Sequence, residues 1–136
     1  MNIVFNQVMP TPLASINHSA ESIWGNKIEL NSGERILLNA SSGKGKSTFT
    51  LTSIGLRKYY SGEITYDGVD IKTFSPDDWT PIRQGKISVI FQDLQLFPNL
   101  SVADNLILKN MLQESMTIET LKKQLEFLGI GDKWKQ

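Results

Sequence analysis

The spacing of apolar and polar positions changes several times along the chain, and each change marks an element. Ile3, Val4, Phe5 and Val8 are β-branched or aromatic and meet Pro10 and Pro12, which predicts a strand over residues 3–8 and a turn-rich loop over 11–22. Lys27, Ile28, Glu29 and Leu30 alternate before Asn31-Ser32-Gly33, and residues 35–39 follow as a more apolar run. That pattern predicts a hairpin whose second strand is the more buried. From Gly45 the period lengthens, and Phe49, Leu51, Ile54 and Leu56 suit a helix that ends near Ser61-Gly62. Residues 63–66 and 69–71, joined by Asp67-Gly68, read as a second antiparallel pair.

Further on, Ser75 is placed to cap a short helix through Trp79 and Ile82, and residues 87–91 form a compact apolar strand. Ser101, with Asp104 three residues later, opens an amphipathic helix along Val102, Leu106, Ile107 and Met111. A last helix over residues 117–128 uses Leu121, Leu125 and Leu128, and Gly129 and Gly131 stop it. The sum is an α/β chain, and its 136 residues suit one domain.

Charge and composition remove whole classes of partner. Fourteen basic residues balance fourteen acidic ones, so no overall field draws the chain to nucleic acid or to an anionic membrane surface. Cysteine is absent, which excludes disulfides and zinc-thiolate sites and fits a reducing compartment, the cytoplasm by default. The longest apolar runs, such as residues 36–38 and 89–91, fall far short of the roughly 20 residues that cross a bilayer. Met1-Asn2-Ile3-Val4-Phe5 has neither the basic start nor the apolar core of a secretion signal. Membrane contact is therefore expected through a protein partner and not by direct insertion.

The chemistry concentrates in Ala40-Ser41-Ser42-Gly43-Lys44-Gly45-Lys46-Ser47-Thr48, which matches the phosphate-loop pattern except at Ala40, where the pattern has glycine. Placed between a strand and a helix, the backbone N–H groups of Ser42, Gly43, Lys44 and Gly45 converge on phosphates at the positive end of the helix dipole. Lys46 supplies a point charge to the terminal phosphates, Ser47 a hydroxyl to Mg²⁺, and Thr48 a contact to the innermost phosphate. ATP and Mg²⁺ are the expected ligands.

Several further segments resemble the ABC ATPases. Residues 61–68, Ser-Gly-Glu-Ile-Thr-Tyr-Asp-Gly, are similar to the family's strand and turn after the phosphate-loop helix. Val89-Ile90-Phe91-Gln92-Asp93 resembles its Q-loop, and residues 96–106 resemble the opening of its helical subdomain. The likeness runs from about residue 23 to 128 and is greatest to transporter ATPases of the lipoprotein-release and macrolide-export class. It implies a P-loop NTPase core of ABC type with an antiparallel β subdomain, phosphate loop and Q-loop over 1–98, and the start of a helical subdomain over 99–136.

By that resemblance Gln92 is the Q-loop switch, its neutral side-chain carbonyl suited to Mg²⁺ and to the attacking water. Leu94, Leu96, Phe97 and Pro98 would rim the groove that receives a short helix of the membrane-spanning subunit, and a second nucleotide-binding subunit would complete an ATP sandwich. Family members stack adenine on an aromatic of the loop after the first strand. Residues 10–22 have none, leaving His18 or Leu13 as substitutes, while Trp24 and Trp79 read as packing residues. The family's signature motif, Walker B strand with its glutamate, and switch histidine have no match in the 136 residues. The chain accordingly reads as the truncated N-terminal half of the domain, with no catalytic residue of its own, binding nucleotide without turnover at the inner face of a membrane. The family's mixed core also sets later strands beside residues 35–39 and 87–91, so both runs are expected to show exposed edges or faces. A soluble ABC ATPase acting on nucleic acid or ribosomes, and a non-catalytic interaction fragment, stand as alternatives.

Overall fold

The computed structural model describes residues 1–93, 95–112 and 116–136, which form two units, 1–81 and 82–136. In the first unit, strands β1 (Asn2–Pro10), β2 (Lys27–Asn31), β3 (Tyr60–Tyr66) and β4 (Val69–Asp70) form one antiparallel sheet in the order β2-β1-β3-β4. β1 carries its apolar residues on one face, but not with a constant period: Ile3 and Phe5 are buried, then Val8 and Pro10. The shift comes from an irregularity against β3 between Asn6 and Met9, where Gln7 takes φ +52°. Two residues of β1 there face Gly62 alone, and the extra residue resets which side chains point inward.

Helix α1 (Lys46–Ser53) stacks Phe49 on Phe5, ring centroids 4.9 Å apart, and sets it edge-on to Trp24 at 6.2 Å. The sequence pattern carried this helix on to residue 60; it ends at Ser53, about two turns earlier. Gly55 adopts φ +72°, its N–H bonds the Thr52 carbonyl at 3.1 Å, and the Leu56 N–H bonds the Leu51 carbonyl at 2.9 Å. This pair of bonds satisfies the terminal carbonyls and ends the helix, and β3 then begins earlier than the apolar pattern suggested. Behind the sheet, Tyr66, Phe74 and Trp79 form a triangle of edge-to-face rings 5.3 to 6.2 Å apart, and the Tyr66 hydroxyl donates to the Ser53 carbonyl. Helix α2 (Pro76–Gly85) starts as expected from Ser75, whose Oγ accepts the Asp78 N–H at 3.2 Å.

The second unit contains helices α3 (Val102–Met111) and α4 (Ile118–Phe127). The expected Ser101–Asp104 capping box is formed in full. Thr117 caps α4, whose buried stripe is Leu121 and Leu125. Leu128 and Met111, read as part of apolar helix faces, are instead exposed at the helix ends.

Two corrections concern strands. Residues 35–39 and 87–91 are not strands, and β2 pairs with β1 instead of returning as a hairpin. A strand is completed by a neighbour's hydrogen bonds, and among the described residues neither run has a β partner. Local apolarity therefore did not suffice. The exposure expected of these runs is present: Leu37 is 91% and Ile90 92% accessible.

Candidate functional site

The phosphate loop rests on two residues of the preceding segment. Gly45, the N-cap of α1, takes φ +95°, and a Cβ built there would stand 2.5 Å from Leu13 Cδ1 and 2.9 Å from Trp24 Nε1. Both of those side chains are buried, so they form a floor against which the loop lies. The Trp24 indole N–H donates to the Lys44 carbonyl at 3.2 Å, fixing the peptide just before Gly45. The Lys44 ammonium reaches the Asn17 carbonyl at 3.4 Å.

Lys46 begins α1 and folds its ammonium back under the loop, donating to the Ser41 carbonyl at 3.0 Å and to the Ala40 carbonyl. The first helical bond in this turn is from the Phe49 N–H to the Gly45 carbonyl at 2.8 Å. Gly45 has no side chain to cap the turn, so the N–H groups of Lys46, Ser47 and Thr48 have no acceptor among the described residues. Ser47 is exposed beside them, and Thr48 is buried. Ser42, Gly43 and Lys44 are exposed, with Gly43 at φ +79°.

The strand expected before the loop is absent, as described, and Ile36 and Leu37 lead into it exposed. The loop is held from the side of Leu13 and Trp24 instead. An open cavity of about 460 Å³ lies alongside, lined by His18, Trp24, Ala40, Ser41, Lys44 and Lys46 among others. Of the two side chains considered for adenine, His18 lines this cavity, with Nε2 2.9 Å from the Leu13 carbonyl, whereas Leu13 is buried beneath Gly45. Trp24 and Trp79 are buried packing residues, as their sequence context suggested.

Gln92 belongs to the second unit, where it is exposed in a turn. Leu96, Phe97 and Pro98 are exposed there too, and Leu94 lies outside the described residues. Sequence reasoning passed over Asn105, whose side-chain amide bonds the backbone of Phe97, Leu100 and Ser101. An asparagine early in a helix, after a proline-containing loop, was the available signal.

The family profile for ABC transporters matches residues 25–136. The methionine import ATP-binding protein MetN of Rhizobium etli is 34% identical over 112 residues, covering 80% of this chain and 31% of MetN. The glutamate/aspartate import ATP-binding protein GltL of Escherichia coli K12 is 38% identical over 107 residues, covering 76% of this chain and 44% of GltL. The lipoprotein-releasing system ATP-binding protein LolD of Nitrobacter hamburgensis is 30% identical over 112 residues, covering 80% of this chain and 48% of LolD. The chain thus spans 31 to 48% of the length of these relatives, which include importers alongside the lipoprotein-release class.

Proposed function

Because this chain belongs to the ABC transporter family, we propose that it is the phosphate-gripping part of an ATP-binding transport subunit. The observation that carries this reading is the uncapped first turn of α1. Three backbone donors, Lys46, Ser47 and Thr48, face outward at a helix N-terminus, beside a lysine and below a left-handed glycine. A polyphosphate supplies the acceptors these donors lack. Gly45 lets the backbone approach closely, and Lys46 exchanges its carbonyl partners at Ala40 and Ser41 for phosphate oxygens.

The donor set also suits Mg²⁺ carried with the nucleotide. By the phosphate-loop pattern Ser47 would offer its hydroxyl to the ion, and by the family likeness Gln92 its side-chain carbonyl, both neutral oxygens. When bound, Mg²⁺ neutralises charge building on the outer phosphates. Ser47 orients through its hydroxyl, and Gln92, by the family likeness, responds to the outermost phosphate.

Partners follow from the same reading. MetN, GltL and LolD are named as ATP-binding proteins of import or release systems, and we assign this chain a membrane-spanning partner subunit and a second nucleotide-binding subunit. No helix among the described residues is long and apolar enough to cross a membrane, in keeping with attachment through that partner at the inner face. Exposed Leu96 and Phe97 offer the apolar contact. Nucleic acid is not among the proposed partners. For the 136-residue polypeptide itself, the proposal is binding without turnover.

Fluorescent-nucleotide titration of the 136-residue chain and of Lys46→Ala tests the reading. Tenfold or greater loss of Mg-ATP affinity in a variant with unchanged circular dichroism is expected. Equal affinity would locate the nucleotide elsewhere. Phosphate release above background that Lys46→Ala abolishes would overturn the claim of binding without turnover.

A further inference from the structure

A second cavity, in the first unit, is assigned no role by the nucleotide site. It measures about 120 Å³, and Arg57, Lys58, Tyr60 and Lys72 line it together with the aromatic wall of Phe74 and Trp79. One water accounts for about 30 Å³, so the space takes a tetrahedral oxyanion. Its chemistry is one-sided: three cations line it and no carboxylate does. Among the described residues Arg57, Lys58 and Lys72 have no acidic partner in an ion pair. Lys72 donates to the Gly62 carbonyl at 2.7 Å and stands 4.5 Å above the Tyr60 ring. The nearby carboxylate, Asp70, is engaged by the Lys72 backbone N–H at 2.9 Å.

The Tyr60 hydroxyl is the second, independent observation. Its oxygen is shut off from solvent and has no hydrogen-bond partner among the described residues. Unpartnered buried polar groups are uncommon because they lose water's hydrogen bonds without replacement. Tyr60 lines the same cavity, and a small shift of its ring brings this hydroxyl to an acceptor that faces the three cations. Burial, and after it the Asp70 charge, push the Tyr60 pKa up to about 12, so the group stays a donor across the neutral range.

We propose that the cavity under Tyr60 is an anion site that takes a phosphate oxyanion, with the Tyr60 hydroxyl donating and Lys72, Arg57 and Lys58 balancing the charge. Arg57 and Lys58 also border an adjoining groove of about 340 Å³ lined by Pro10, Pro12, Leu56 and Tyr59. The oxyanion therefore has two possible sources: free phosphate, or the head of a phosphate monoester whose apolar body lies in that groove.

Calorimetric titration with inorganic phosphate, at ionic strength held constant with chloride, tests the site in the Lys46→Ala background, which silences the nucleotide loop. Phosphate binding is expected to persist there and to weaken at least tenfold on adding Tyr60→Phe or Lys72→Gln. Tyr60→Phe removes only the orphaned hydroxyl, so its fold is retained. In the unmutated chain, the Tyr60 ring resonance is expected to move with added phosphate, independently of how Lys46→Ala behaves. Phenyl phosphate run alongside separates the sources: tighter binding points to an ester and equal binding to the free ion, and either upholds the site. Unchanged affinity in Tyr60→Phe, a stationary Tyr60 resonance, or no binding once Lys46 is removed would overturn it and leave the cavity to water.

Discussion

Asn105 holds Phe97 by both sides of its peptide: Oδ1 accepts the Phe97 N–H at 2.9 Å, and Nδ2 donates to the Phe97 carbonyl at 3.1 Å. The same amide nitrogen donates to the carbonyls of Leu100 and Ser101 at 3.2 and 3.0 Å. One side chain on α3 thus sets the course of residues 97–101, and Phe97 is presented outward from a fixed backbone.

Asn105→Ala is expected to cost about 1–2 kcal/mol, in keeping with the net worth of one or two such bonds. It should also raise the exchange rate of the Phe97 amide at least tenfold. Chemical denaturation and hydrogen-exchange NMR read the two effects. An unchanged Phe97 exchange rate would show that the clamp does not order the loop.

Gly45→Ala brings a methyl group into the buried floor of Leu13 and Trp24, at 2.5 Å from carbon and 2.9 Å from nitrogen. With a left-handed backbone added to the overlap, a loss of about 2 kcal/mol is expected. Gly43→Ala is the control. It shares the positive φ but meets nothing within 4 Å, so its loss is expected to stay near 1 kcal/mol. Urea unfolding of both variants compares them. Equal losses would mean that the floor is loose enough to yield.

The legible parts of this chain were those fixed by neighbours in sequence. The Ser101–Asp104 box and the Ser75 cap are local chemistry, and each stands where it was expected; the glycine-rich segment opens a helix at Lys46 as expected, but without the strand before it. Residues 35–39 and 87–91 failed as strands because pairing is set by a distant partner, and an apolar run alone cannot supply one. The end of α1 was readable in principle: Gly55 with Leu51 and Leu56 around it is a stop signal, but the apolar spacing ran through it and was given more weight. The floor made by Leu13 and Trp24 was not readable. Neither residue adjoins the loop in sequence, and only the fold brings them beneath Gly45.

Asp78 accepts from both Ser75 Oγ, at 2.6 Å, and the Ser75 N–H, at 2.8 Å, and these bonds hold its carboxyl below the ordinary 3.8. A lowered folded value means that this contribution is complete above pH 3.8 and is lost as pH falls through the lower folded value. Ser75→Ala should therefore destabilise at pH 6 and do so less at pH 2. Denaturation curves at the two pH values measure the difference, and a pH-independent effect would exclude the carboxylate as its source.

Exposed Leu37 and Ile90, 91% and 92% accessible, belong to runs with no β partner among the described residues. Exposed apolar runs of this kind associate with other copies. Sedimentation velocity of the 136-residue chain should show mass rising with concentration, and Leu37→Lys with Ile90→Lys should suppress it. A single sharp monomer at high concentration would contradict this.

The indole of Trp24 touches the glycine-rich loop through one hydrogen bond to Lys44 and lies against Gly45. Any shift of that peptide toward a ligand alters the polarity around an emitting ring. The protein therefore carries an intrinsic optical gauge of its own loop, readable as a change in tryptophan emission once the contributions of Trp79 and Trp134 are removed by substitution.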